Sequence, residues 1–544
     1  MLATSPAVQL PRVSDGHDYT TNGSSSTAAA GRAAATAANA EGWATLPNSL
    51  DGMHWWYNRG LIQLNFFVSV LFCAQCLNGF DDNLTAGLQA LPSWHTALNH
   101  PSQSDIGLMN AVFYLAGLLS APIAAYIADR FGRRWCVRWA SLMMLAGTVI
   151  AVTAGIEPSS GYTLFVVSRA VCGSGLAFSL IVGPILLQEW AHPKQRALIG
   201  SMFNLNYALG SFIVAWIIFG TSFLPNNWAW RIPTLLQIVP ALYLTIVINF
   251  VPESPRWLMS KGREREAMAF LVAYHGNGNA HDELVVFEFE EMKKAIGAEH
   301  AKGRSGSWLQ LFATKRNRRL TAIVILICSM QNLSGSAIVG GYYTQILDLV
   351  GITSPASQTG INGGLTIAVI AGALLGSYLV TRTPRRRLLL TSWIALIIVN
   401  VAFVVTAQQF VTRASKAAGA THVALLFLYL FIFFIPCGSL FFSYNVEVMP
   451  YSLRAQSQGL WAVQNKAISI FNGYVNAIAL QRISWKYYLV YTGIMVVQLV
   501  LVYLLCVETK GYTLEEIEAL FDGKASKARI AETEVNKNEN NHDE

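Results

Sequence analysis

An all-α membrane protein of twelve spanning helices in two six-helix bundles is the fold class that this sequence predicts. Three observations carry it. Of 544 residues, 53% are hydrophobic and only 13% charged, with a mean hydropathy of +0.39; that is about half the charged share of a soluble protein, too little polar surface to coat several globules. Apolar runs long enough to cross a hydrocarbon core of about 30 Å, roughly 20 residues each, recur twelve times. The longest hydrophilic stretch inside the array, 252–319, splits the runs six and six.

The elements follow in order. Residues 1–58 are low in complexity, with runs such as SSSTAAAGRAAATAANA and no secretory h-region. They read as a disordered tail. Spans are expected at 61–80, 107–128, 136–155, 162–187, 199–219 and 232–251, then at 320–345, 361–380, 387–408, 423–443, 457–480 and 487–507. The chain therefore divides into an N-tail (1–58), a first bundle (59–251), a linker (252–319), a second bundle (320–507) and a C-tail (508–544). Inside the linker, EREAMAFLVAYH and DELVVFEFEEMKKAIGAE carry apolar residues at helical spacing, which predicts short helices. YTLEEIEALF in the C-tail reads the same way, with Thr513 as N-cap and Glu516 completing a capping box.

Charge sets the orientation. The chain holds 38 Lys and Arg against 31 Asp and Glu, a net +7. With both termini on one side, 31 of the 38 basic residues fall on that side and 5 on the other; Arg169 and Lys466 lie within spans. The positive-inside rule then places both termini in the cytosol. The basic residues sit in short clusters between apolar runs, a topology signal that excludes a nucleic-acid face. The seven cysteines all fall in or beside apolar segments; Cys73 and Cys76 form a lone C-x-x-C that reads as core packing.

The two halves repeat. Asp129 to Arg134 reads D-R-F-G-R-R after span two, and Thr381 to Arg386 reads T-R-T-P-R-R after span eight. Glu189 stands seven residues before Arg196 after span four, and Glu447 stands seven before Arg454 after span ten. A duplicated six-helix unit with acid–Arg clamps on one face suits a carrier that rocks two bundles about a central site. The clamp residues are Asp129, Arg130, Arg133, Glu189, Arg196, Glu253, Arg256, Glu447 and Arg454.

These motifs resemble the sugar porters of the major facilitator superfamily over roughly 60–520. P-E-S-P-R-W-L at Pro252–Leu258 is the most specific, joined by R-x-x-x-G-x-G at Arg169–Gly175 and E-V-M-P-Y-S-L-R at 447–454. NGFDDNLTAGLQALPSW, EWAHPKQR and NGYVNAIAL are most similar to the fungal lactose-permease-like branch. The resemblance implies proton-coupled uptake of a sugar across the plasma membrane. It also implies roles for residues. Asp81 and Arg169 match the acid and arginine of proton-coupled porters; a lone charge in a span costs at least about 2.5–3.5 kcal/mol, and proton binding and an ion pair are alternatives for one carboxylate. A static salt bridge between helices is the other reading of that pair. For a sugar site the resemblance points to Asn204, Gln331, Asn332, Tyr342, Phe442 and Asn465, amides and aromatics suited to hydroxyl-rich ligands. Tyr343 completes the family's aromatic pair at a spacing one residue longer.

The departures are equally specific. Thr381 and Pro384 stand where the family has an acid and Gly, and Val369 where it often has Asn. Lys466 replaces a neutral residue, and Asp82 a residue usually Gly. Lys466 reads as a substrate contact favouring an anionic ligand, as half of a structural ion pair, or as a lysine made neutral by desolvation. The sequence thus predicts a carrier that binds a small molecule and protons within a lipid bilayer, with no cofactor and no enzyme motif. The same fold carrying a non-sugar metabolite, such as a carboxylate, is the alternative. A non-transporting nutrient sensor is a remoter one, because the C-tail is short. Asn83-Leu84-Thr85 forms a glycosylation sequon too close to the membrane for use.

Overall fold

The computed structural model describes residues 58–510, apart from 157–159, 303–307, 414–415, 439 and 450–452. The N-tail and the capping box at Thr513 lie outside the described residues.

All twelve expected spans form, and most run longer than hydropathy suggests. The first bundle holds spans one (Arg59–Leu88), two (Gln103–Phe131), three (Arg133–Thr153), four (Gly161–Trp190) and five (Arg196–Thr221), and a sixth in two pieces, Trp228–Leu236 and Ile238–Val247. The second holds spans seven (Lys315–Asn332, then Ser336–Gly341), eight (Pro355–Arg382), nine (Arg385–Arg413), ten (Lys416–Cys437, then Leu440–Val448), eleven (Arg454–Ile483) and twelve (Tyr487–Leu505). Leu119, Ile123, Leu374 and Ile398 are among many exposed apolar side chains on the outer surfaces, as lipid-facing helices require.

Span one departs most from its expected limits. It was expected to end at residue 80, with Asp81 and Asp82 at its outer end; instead Asp81, Asp82 and Asn83 lie inside a 30-residue helix. The helix continues because each polar side chain finds a partner within the protein, so no water is needed to satisfy it.

The breaks have identifiable causes. Span seven stops at Leu333-Ser334-Gly335, where Gly335 adopts φ +100°, a conformation open to glycine without a Cβ penalty. The freed backbone is satisfied by side chains: Tyr429 donates to the Ser334 carbonyl at 2.7 Å and Asn472 to the Asn332 carbonyl at 2.7 Å. In span six, Pro240 has no N–H to offer Leu236, and the chain breaks at Gln237, whose side chain turns inward.

Linker helices form at Pro255–Ser260, Glu264–Tyr274, Glu283–Lys302 and Gln310–Ala313. They sit at the end of the molecule that carries the Arg-rich turns, here the basic end. Hydrogen bonds between the bundles cluster at the opposite, far end. Asn110 donates to Tyr342 at 3.0 Å, Asn362 to Asn83 at 3.1 Å and Gln89 to the Gly341 carbonyl at 3.3 Å; Gln345 also bonds Gln103. The Asn83 side chain is held in this seam and also donates to the Ser211 carbonyl at 2.9 Å.

Candidate functional site

Asp81 is fully buried, and its side chain meets Arg169 across the first bundle, with Arg169 Nη1 2.9 Å from Asp81 Oδ1. Gln237, freed by the break in span six, donates to the same oxygen at 2.6 Å. The second oxygen, Oδ2, is buried and makes no hydrogen bond. The guanidinium lies 4.2 Å from the centroid of the Phe113 ring. One carboxylate oxygen is therefore held by two donors while the other is open to a proton. Three spans converge on this acid, and Gln237 is the member that sequence reasoning missed; only its place as a lone amide in an apolar span marks it.

Next along span one, Asp82 turns to the other side and accepts a hydrogen bond from the Tyr207 hydroxyl at 2.9 Å. Lys466 of span eleven faces it from the second bundle, and the two charges act on each other. They do not close to within the 4 Å of a direct ion pair. The Lys466 ammonium instead stands 5.5 Å from the centroid of the Tyr114 ring.

The residues expected to read a sugar are distributed unevenly. Gln331 is half-buried, with a buried Oε1 that lacks a partner. Asn332 donates to the Cys328 carbonyl at 2.9 Å, so its amide is partly spent on its own helix. Tyr342 is buried, accepting from Asn110 across the seam and donating to the Gly473 carbonyl within its own bundle; in this arrangement it closes the far end. Asn465 is half-buried and Asn204 exposed, on spans eleven and five. The Phe442 side chain lies outside the described residues.

At the basic end the clamps are built within bundles, and their partners differ from those the spacing suggests. Glu189 faces Arg133 at 3.5 Å, not Arg196. Arg196 turns to Glu288 of the linker at 3.5 Å. Glu447 faces Arg385 at 3.6 Å; the Arg454 side chain lies outside the described residues. Arg133 also reaches Asp129 at 3.4 Å, the i,i+4 neighbour that helix geometry provides. Arg130 points away and bonds Tyr126 at 3.0 Å.

The P-E-S-P-R-W-L motif explains itself through hydrogen bonds. The Glu253 carboxylate accepts from the backbone N–H of Arg133 at 3.1 Å and Arg134 at 3.3 Å, capping span three. Burial pushes the Glu253 carboxyl up, against those donors that favour its charge. Ser254 caps the helix Pro255–Ser260, with Pro255 at its first position. Trp257 donates to the Asp129 carbonyl at 3.0 Å, and Arg256 acts on Glu189.

The second half repeats this with residues that sequence reasoning missed. Glu508 accepts from the backbone N–H of Arg385 at 2.8 Å and Arg386 at 3.1 Å, and Thr509 donates to Glu447 at 2.7 Å. The signal was V-E-T-K after span twelve, mirroring P-E-S-P after span six. The departure at Pro384 leaves this clamp intact, because backbone donors hold Glu508 and Arg385 faces Glu447.

A further ionic cluster docks the linker. The His275 ring places Nδ1 2.6 Å from Glu288 and Nε2 3.1 Å from the Trp190 carbonyl at the end of span four. Burial raises the Glu288 carboxyl, but His275, Arg196 and His192 outweigh it and hold it below the ordinary value. A depressed carboxyl contributes stability above its unfolded pKa, near 4.3, and loses it as pH falls through the folded value. Amide protection over 283–296, corrected for the intrinsic pH dependence of exchange, is expected to stay flat from pH 8 to 5 and to fall only below the ordinary glutamate range. A loss of protection already complete at pH 5 would assign the docking to other groups.

The family model described as "Sugar (and other) transporter" matches residues 66–521. An MFS-type transporter, criB, of Aspergillus cristatus is 26% identical, over 80% of this chain and 89% of its own length. The low-affinity glucose transporter HXT4 of Saccharomyces cerevisiae is 27% identical, over 79% of this chain and 74% of its own. Among solved structures, the inward-open conformation of the xylose transporter XylE from E. coli superposes with a TM-score of 0.69 at 19% identity, covering 84% of this chain and 99% of that one.

Proposed function

This chain belongs to the sugar transporter family of the major facilitator superfamily, and on that premise we propose that it moves a sugar across the plasma membrane by alternating access with proton symport. Membership is of a transporter family, not an enzyme class. The observation that carries the coupling is the Asp81–Arg169–Gln237 constellation, a buried carboxylate with one oxygen held and one free. Proton binding at Oδ2 competes with the hold of Arg169, so the proton and the conformation are linked. The positive-inside rule assigns the basic end to the cytosol, with both termini there. The far-end hydrogen bonds then seal the outer face, and the seam opens inward. The paired glutamates, Glu253 and Glu508, brace each bundle as a rigid body; the clamp residues Asp129, Arg133, Glu189, Arg256 and Glu447 serve the same bracing. Gln331, Asn332, Asn465 and Asn204 offer amides toward hydroxyls, and glucose and xylose transport by relatives supports a monosaccharide.

Reconstituted protein tests this. D-glucose and D-xylose uptake into proteoliposomes is expected to exceed equilibrium under an inward proton gradient, and to fall to equilibrium with a protonophore. Uptake indifferent to the gradient would overturn symport; uptake of no sugar, neutral or acidic, would overturn the sugar assignment.

A further inference from the structure

Among the described residues Lys466 is a cation with no conventional partner. It lies near the middle of span eleven, half-buried at the seam between the bundles. An ammonium offers three donors, yet among the described residues Lys466 makes no hydrogen bond and no ion pair within 4 Å. Its neighbours are the Tyr114 ring at 5.5 Å and, further off, Asp82. Asp82 is itself half-buried and tied to Tyr207 at 2.9 Å. A purely structural ion pair would close to contact, because separation forfeits the attraction that offsets two desolvated charges. This pair stands open, one charge on each bundle, beside the amides proposed above to meet hydroxyls.

We infer that Lys466 recognises a carboxylate on the transported molecule, making the preferred substrate an acidic sugar or polyol, with Asp82 as the internal competitor that favours release. The inference rests on the transport reading above and names its substrate class. A ligand carboxylate fills the open donors of Lys466. The fixed carboxylate of Asp82 repels that ligand and attracts the same ammonium, so bound substrate is held without being trapped. The two residues therefore act in opposite directions on one ligand, a property that a mere packing pair lacks.

D-glucuronate and D-glucose share a ring and differ at one carboxylate, so the ratio of their KM values in proteoliposomes isolates the contact. The wild-type chain is expected to favour glucuronate by tenfold or more. Lys466→Gln is expected to collapse that ratio toward one, since it removes a charge-assisted hydrogen bond, a loss of about tenfold or greater. Asp82→Asn is expected to move the other way and lower the KM for glucuronate. If both substitutions shift the two sugars by a common factor, the residues are a structural pair and the inference fails. If the wild type carries glucose and not glucuronate, the inference fails while sugar transport stands. If it carries neither, both fail. Should Lys466→Gln not fold, Asp82→Asn decides alone: a glucuronate KM that rises or stays constant overturns the proposal.

Discussion

Asp81→Asn is expected to reduce the accumulation ratio of substrate to about one while sparing exchange of substrate between the two sides. Asp81 Oδ1 accepts from Arg169 and Gln237 at 2.9 and 2.6 Å. An asparagine can offer a carbonyl oxygen at the same place, so both donors keep a partner and the shape of the site survives. What is lost is the titratable oxygen, Oδ2, buried and unbonded. Without it no proton can travel with the substrate, and the gradient has nothing to act on. Removing one member of a buried pair also costs stability, typically about 3–5 kcal/mol. The remaining hydrogen bonds, and the nearby charge of Asp82 acting on Arg169, put the expected cost at the lower end. Counterflow measured beside accumulation separates the two effects. Retained concentration of substrate with an unchanged pH profile would exclude Asp81 as the coupling acid. Loss of both accumulation and counterflow in a variant that still folds would instead mark Asp81 as part of the substrate site.

Much of the fold was legible because its driving force is one-dimensional. Hydropathy over 20 residues decides membrane insertion, and it located every span. It failed at ends and breaks, where polar groups are satisfied by distant partners. Asp82 is tolerated within span one because Tyr207, 125 positions away, bonds it. The break at Gly335 depends on Tyr429 and Asn472. No local window contains such information. The clamps show a second limit. Seven-residue spacing singled out Glu189 and Arg196 and paired them with each other. Their partners, Arg133 and Glu288, come from other elements. Ion pairs are chosen by tertiary proximity, which spacing within a loop cannot supply. Gln237 was illegible for a related reason: a glutamine in an apolar span gains meaning only when the helix break turns it toward Asp81. Glu508 was legible in principle, since the repeat that aligns Arg133 with Arg385 also aligns Glu253 with Glu508. The residues expected to read a sugar were named from resemblance; Gln331 is half-buried with an unbonded Oε1, whereas Tyr342 is a seam contact.

Gly79→Ala is expected to destabilise the protein strongly and to abolish transport, because spans one and five cross there backbone to backbone. A Cβ added at Gly79 would lie 1.9 Å from the Tyr207 carbonyl oxygen, and one added at Gly210 would lie 1.9 Å from that of Cys76. Both obstacles are backbone, so no side-chain rotation relieves them, and the helices must separate by an amount on the order of 1 Å. Close approach of this kind is how helices associate in lipid, where water gives no drive and small residues let dispersion act. Two bonds depend on the approach: Ser211 Oγ donates to the Gly79 carbonyl at 2.9 Å, and Asn83 donates to the Ser211 carbonyl at 2.9 Å. Overpacking of about 1–3 kcal/mol or more, with about 0.5–1.5 kcal/mol for each bond lost, gives a cost several times that of an ordinary surface change. The same displacement separates Tyr207 from Asp82, so that contact is disturbed even in molecules that fold. Gly493→Ala is the control, since a Cβ there meets nothing within 4 Å, and a change within about ±0.5 kcal/mol is expected. Thermal melts of both variants in one detergent, read by size-exclusion fluorescence, decide the matter. Equal melting of Gly79→Ala and Gly493→Ala would show that the crossing is slack and that the Asp82–Tyr207 contact is set by something other than helix approach.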